Sequence, residues 1–223
     1  MKDFFSQNNI LGVIFDCDGV LVNSEKLSCR ALNVVFEKYF QTDIGTDYSH
    51  VLGKSLKDSF KYYIESFQLE LPPSINLSEL YLEKDLVYQK LARNNLESFP
   101  GVVELLDYLQ DTSLTITVAS SGTHDKINFN LQQGKLDKYF SLITSADEVQ
   151  QGKPHPDLFL LSAQKMNLDP ERCMVLEDSV SGIKAAKAAH MTTVGVTNSF
   201  SKEKLHDSGA DVIVHRLDEL IKS

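Results

Sequence analysis

Two hydrophobic patterns alternate along this chain and divide it into three stretches. The first, Leu11-Gly-Val-Ile-Phe15, is an unbroken apolar run with β-branched and aromatic side chains, the mark of a strand buried on both faces of a parallel sheet. It stops on Asp16-Cys-Asp18-Gly19. Asp is a poor strand residue and Gly punctuates the backbone, so both acids fall at the carboxyl end of the strand or in the loop after it. From Val22 the pattern turns helical. Leu27, Ala31, Val34, Val35 and Tyr39 recur at intervals of three and four, after a helix cap at Asn23 or Ser24. A second helical stretch is predicted from Tyr48 to Phe67, with a break at Gly53-Lys54. Leu71-Pro-Pro-Ser marks a turn, and Asn76 caps a third helix carrying Leu77, Leu80, Tyr81 and Leu91.

From Phe99-Pro-Gly101 strand and helix alternate again. A helix over 101–111 leads into Leu114–Ala119, which ends on Ser120-Ser121-Gly122-Thr123. After another helix comes the short apolar segment Leu142-Ile-Thr144, then the turn Gly152-Lys153-Pro-His-Pro156 opening a helix through Met166. Cys173–Leu176 ends on Glu177-Asp178-Ser179; a helix over 180–189, a strand over 193–196 and a last strand over 211–214 follow. Such alternation predicts an α/β fold, a doubly wound parallel sheet of Rossmann-like type. The core is discontinuous, built from residues 1–21 and 96–223, with residues 22–95 forming an inserted all-helical cap that leaves the first strand beside Asp16 and Asp18.

Composition narrows the possibilities. A chain of 223 residues buries roughly 70% of its unfolded surface, enough for a sizeable core. With 22 Lys and Arg against 31 Asp and Glu, the net charge of -9 disfavours nucleic acid or an anionic membrane as partner, while leaving room for a local basic pocket that takes a small anion. The amino terminus lacks the apolar region of a signal peptide and no stretch reaches the length of a membrane span, so a cytoplasmic protein is expected. Cys17, Cys29 and Cys173 have no metal-type spacing. Cys17, although next to Asp16, reads as a small packed residue rather than a thiol nucleophile.

The chemistry concentrates at strand ends. Asp16 with Asp18, then Ser120, then Lys153, then Glu177 with Asp178 follow successive strands, and in a parallel sheet all such loops open on one edge. Each has an ordinary reading: Ser120 as a helix cap, Lys153 as an exposed turn residue, Glu177 and Asp178 as acids at a helix amino terminus, His155 as part of a turn. Those readings do not account for a nucleophile, an anion-binding hydroxyl, a cation and a carboxylate pair arriving together. Jointly they describe a phosphoryl-transfer site.

These motifs give the chain a clear resemblance to the haloacid dehalogenase-like superfamily, in the beta-phosphoglucomutase-like group with a helical cap. Asp16-Cys-Asp18-Gly-Val-Leu-Val-Asn-Ser24 is similar to the family's first motif, Val118-Ala-Ser120-Ser to the second, Gly152-Lys153-Pro-His-Pro-Asp157 to the third and Val175-Leu-Glu177-Asp178-Ser-Val-Ser-Gly-Ile183 to the fourth. The resemblance implies that Asp16 attacks phosphorus and forms an aspartyl-phosphate, and that Asp18 protonates the leaving oxygen and later deprotonates water. It implies Mg²⁺ held by Asp16, the backbone carbonyl of Asp18, Asp178 and Glu177. Ser120, with Ser121 and Gly122 beside it, would hold phosphate oxygens, and Lys153 would offset the like charges of Asp16 and phosphate.

A dehalogenase has no need of a leaving-group acid, so Asp18 favours a phosphatase. Beta-phosphoglucomutases carry a cap-hinge histidine where this chain has Ser28 and a cap arginine near Leu56 where it has only lysines, which favours transfer to water over return to a sugar. A phosphoacceptor signalling module would share the core but lack Asp18 and a cap. The expected substrate is a small phosphorylated metabolite, contacted by the cap through Gly53, Lys54 and Lys57, and the expected state is a monomer or weak homo-oligomer.

Overall fold

A computed structural model describes residues 4–52 and 54–222. Its helices and strands follow in the order α1 (Phe4–Gln7), β1 (Gly12–Phe15), α2 (Glu25–Phe40), α3 (Leu56–Ser66), α4 (Leu77–Ala92), α5 (Val102–Gln110), β2 (Thr115–Ser120), α6 (His124–Gln133), β3 (Ile143–Ser145), α7 (Asp157–Lys165), β4 (Cys173–Glu177), α8 (Val180–Ala188), β5 (Thr192–Val196), α9 (Lys202–Asp207) and β6 (Val212–Val214). The strands form one parallel sheet in the order β3-β2-β1-β4-β5-β6, with Phe15 in register with Val118 on one side and Leu176 on the other. The strand order changes direction at β1. Its carboxyl end therefore opens into the crevice where sheets of this kind bind ligands.

Strand alternation explains why both faces of the sheet are covered. Val13 and Phe15, Met174 and Leu176, and Val194 and Val196 point into one core with Leu105, Leu106 and Ile127, while Ile14, Ala119, Cys173 and Val175 point into another with Leu158, Phe159, Ala185 and Ala186. Phe15, fully buried, contributes about 1.5–3 kcal/mol through its burial alone.

The helices between β1 and β2 have an apolar cluster of their own, in which Leu32, Val35, Phe36, Val51, Phe60, Tyr63 and Leu80 are buried. The Phe36 ring lies 5.2 Å from that of Phe60 and 5.6 Å from that of Tyr63. Asn76 caps α4 as the sequence predicts, and Glu79 returns the bond to complete a capping box. The second helical stretch is shorter than expected: α3 starts only at Leu56, where the Ser55 side chain accepts a hydrogen bond from Asp58 N, and Tyr48 to Leu52 form turns. The helix α9 between the last two strands was not expected either; Leu205 is its one buried residue, too little for an apolar period to register.

Helix α4 runs between two cores. Leu80 belongs to the cluster of the inserted helices, whereas Tyr88 and Ala92 lie in the main core with Ala31 of α2. The segments joining insert and sheet are also bound to each other: Asn23 N donates to Glu97 O and Phe99 N to Leu21 O, at 3.0 and 3.1 Å. Among the described residues no helix is long and apolar enough to cross a membrane.

Candidate active site

Asp16 prolongs β1, its N–H donating to Leu176 O at 3.0 Å, which delivers its side chain to the end of the sheet beside β4. The fully buried Glu177 ends β4 and Asp178 follows it. Lys153, from the turn before α7, places its ammonium 2.6 Å from Asp16 Oδ1 and 2.6 Å from Glu177 Oε1. The other oxygen of Glu177 accepts from Ser179 N at 2.6 Å. Carboxylate oxygens of Asp16, Glu177 and Asp178 all lie within 4.8 Å of one another. Four residues thus bring three acids and one base into a buried cluster.

Two glycines make room for it. At Gly19, where φ is +87°, a Cβ would stand 2.0 Å from Asp178 Oδ2, and at Gly182 a Cβ would stand 1.8 Å from Glu177 Oε1. Neither position tolerates a side chain without moving an acid. The loop after β5 closes the same wall: Ser199 Oγ donates to Asp178 Oδ2, and Asn198 Nδ2 donates to Gly19 O at 2.7 Å.

Asp18, two residues from Asp16, has different company. Its carboxylate accepts from Lys126 Nζ at 2.7 Å, from Asn130 Nδ2 at 3.0 Å and from Ser24 Oγ. Ser24 stands at the cap position of α2, yet its hydroxyl makes no capping bond and serves Asp18 instead. Ser120 does not cap α6 either; Thr123 does, accepting from Lys126 N, while the buried Ser120 Oγ accepts from Gly122 N at 3.2 Å.

A cavity of about 1020 Å³ connects these groups, lined on the sheet side by Asp16, Asp18, Ser120, Ser121, Gly122, Lys126 and Lys153, and on the insert side by Lys54, Lys57, Tyr62, Tyr81 and Lys84. Every sequence-predicted site residue on the sheet side other than Glu177 and Asp178, which lie in the acid cluster beneath, reaches this cavity. Lys54 is exposed, its ammonium 5.5 Å from the Tyr62 ring centroid. Gly53 lies outside the described residues.

The electrostatics separate the two aspartates. Burial pushes Asp16 up to about 8, against the pull of the Lys153 ammonium and with a smaller push from the charge of Glu177. Asp178 is driven well above the usual range by burial and by its neighbours Glu177 and Asp16. For Asp18 burial also acts upward, but the Lys126 ammonium and the hydrogen bonds from Lys126 and Ser24 prevail and hold it below the ordinary value. Cys17 is fully buried and its thiol is pushed well up by desolvation and by Asp18, which makes it a poor nucleophile.

Three buried carboxylates, of which Asp16 and Glu177 share one ammonium, carry surplus negative charge. All-oxygen donors in a compact cluster suit a hard divalent cation, and such a cation would reverse the upward push on Asp16 and Asp178. The residues present therefore fit a metal.

The model of the haloacid dehalogenase-like hydrolases matches residues 13–196. The chain belongs to that family. The phosphorylated carbohydrates phosphatase of Thermotoga maritima is 30% identical over 204 residues, covering 91% of this chain and 93% of the relative. The phosphoglycolate phosphatase of Shigella boydii is 29% identical over 96% of this chain and 92% of its own length. The crystal structure of beta-phosphoglucomutase from Clostridium difficile superposes with a TM-score of 0.82 at 28% identity, covering 95% of this chain and 93% of that one. Within the haloacid dehalogenase-like hydrolases the chain is a phosphoric monoester hydrolase, its core the six-stranded Rossmann-like sheet.

Sequence reasoning missed several groups that meet here. Lys126 and Asn130 sit on a polar helix, where a lysine and an asparagine read as solvated. Lys84 had a legible signal: it falls between Leu80 and Tyr88 on the buried stripe of α4, and only 4% of it is exposed. Desolvation and the nearby charge of Lys126 bring Lys84 down to about 8.

Proposed function

We propose that this hydrolase releases phosphate from a small phosphorylated metabolite, a sugar phosphate or related phosphomonoester, with Mg²⁺ and a phosphorylated Asp16 as intermediate. The observation that carries the reading is Lys153 bridging Asp16 and Glu177 at the wall of a cavity whose other side holds Asp18 in a separate network. An oxygen of Asp16 attacks phosphorus while the bond to the leaving oxygen breaks, and Asp18, entering this step as the carboxylic acid, gives that oxygen its proton and is left as the carboxylate. Water then attacks the phosphorus of the aspartyl-phosphate. Asp18 takes its proton, the bond to Asp16 breaks, and inorganic phosphate leaves. Lys153 pulls Asp16 toward its ionised form, as a bound cation also would, and offsets the charge of the incoming phosphate, and Ser120 with the backbone N–H groups opening α6 holds phosphate oxygens.

Asp16, Asp178, Glu177 and the main-chain carbonyl of Asp18 would hold the metal. When bound it neutralises charge on the transferring phosphoryl group. Residues 22–95 act as the cap domain over a core of residues 1–21 and 96–223. Cap residues lining the cavity, among them Lys54 and Lys57, set substrate preference. A cavity of about 1020 Å³ accommodates a ligand of sugar-phosphate size. The Thermotoga maritima relative named for phosphorylated carbohydrates supports that class.

A phosphate-release screen over a metabolite panel, with and without Mg²⁺, tests the reading. The expected result is Mg²⁺-dependent turnover lost by at least about a thousandfold in Asp16→Asn. Turnover retained in the variant, or indifferent to Mg²⁺, would overturn it.

A further inference from the structure

Three donors converge on the Asp18 carboxylate, and two of them, Lys126 and Asn130, lie four residues apart on one face of α6. Asn130 is fully buried and has one further side-chain partner of consequence: Tyr88 OH, 2.6 Å from Asn130 Oδ1. The geometry gives the direction of this chain of bonds: Asn130 turns its amide N–H toward Asp18 and its carbonyl oxygen toward Tyr88, and the phenol donates. Tyr88 is itself fully buried, so no water can replace the phenol cheaply. Its ring also lies against the other donor: the ammonium of Lys126 is 5.1 Å from the ring centroid, and that of Lys84 is 5.2 Å away. One side chain of the inserted helices thus touches both groups of α6 that grip Asp18.

We propose that Tyr88, Asn130 and Lys126 are positioning residues that aim the Asp18 carboxylate at the leaving oxygen, so that α4 of the insert takes part in leaving-group chemistry through the Tyr88 phenol. This rests on the reading of Asp18 as the proton donor to the leaving group. A protonated carboxyl free to rotate delivers its proton to the wrong place. The loss falls on substrates whose leaving oxygen departs as an alkoxide, whereas nitrophenolate leaves without a proton. Kinetics up to the first chemical step, reported by kcat/KM, carry the distinction.

The experiment compares kcat/KM for p-nitrophenyl phosphate with kcat/KM for the fastest alkyl phosphate of the metabolite panel. In Tyr88→Phe and Asn130→Ala the alkyl substrate is expected to lose about tenfold while the aryl substrate changes less than about threefold, a smaller version of the pattern in Asp18→Asn. Lys126→Met should show the same selectivity and Lys126→Arg should recover much of it. Because Lys126 reaches the cavity, this pair still reports if the buried variants do not fold. Equal losses for both substrates, or unchanged kinetics in Tyr88→Phe and Lys126→Met, would overturn the proposal. Failure of the underlying reading looks different: Asp16→Asn keeps its turnover, or Asp18→Asn shows no selectivity between alkyl and aryl substrates.

Discussion

Asp16 and Asp18 are the same residue type, separated by one buried cysteine, and the fold gives them opposite surroundings. Asp16 shares one ammonium with Glu177 and stands within reach of Asp178, so carboxylates outnumber the cation that serves them. Asp18 has a lysine to itself and two neutral donors besides. Proton affinity moves up in the first place and down in the second. The pair D-x-D is therefore no more than an opportunity. What differentiates its members is which helix or loop, far away in sequence, brings the countercharge, and how many acids compete for it.

Removing Lys153 should break the contrast most severely. Lys153→Met leaves Asp16 and Glu177 buried without their shared cation, which costs about 3–5 kcal/mol of stability in the metal-free protein. Thermal unfolding checks this, and added Mg²⁺ should restore part of the loss. Ser199→Ala is a gentler test of the acid side alone. Without its hydroxyl, Asp178 loses the bond that orients it, and Mg²⁺ affinity read from ligand-induced thermal shifts should fall about tenfold. The alkyl-to-aryl ratio, which reports on Asp18, should stay where it was.

A third test concerns the lysine behind Asp18. Lys84 sits at about 8 in the folded chain against 10.5 in the unfolded one, so between those values the unfolded chain binds more protons and stability rises with pH. The groups facing it are Lys126, Asp85, Asp18, Glu25, Cys29, Ser28 and the Tyr88 ring. Lys84→Met should therefore be more stable than the parent near pH 7. That advantage should shrink as pH climbs from about 8 toward 10.5, by an amount on the order of a few kcal/mol. A pH-independent difference in denaturant midpoints would refute the assignment of a strained buried charge.

Much of this was legible beforehand. Apolar runs ending on Asp16, Ser120 and Glu177 announced both the sheet and the edge at which the site forms, because a strand buried on both faces leaves an uninterrupted signal. The partners of Asp18 were not legible. Lys126 and Asn130 become neighbours of that acid only because α6 packs beside the loop after β1, and nothing in their spacing encodes that approach. Ser24 does stand at the cap position of α2, but its hydroxyl makes no capping bond because it has a stronger acceptor in a carboxylate. The apolar pattern also drew the boundary of the insert too cleanly. Leu27, Ala31, Tyr88 and Ala92 fall within residues 22–95 by sequence, but pack in the main core.

That packing of α4 bears on how the molecule melts. A helix that begins in one apolar cluster and ends in another is a shared girder: the inserted helices cannot unravel without pulling Tyr88 and Ala92 out of the sheet's own core. The two clusters are thereby coupled through one helix. Amides along the carboxyl-terminal half of α4 belong with the slowest-exchanging protons of the sheet.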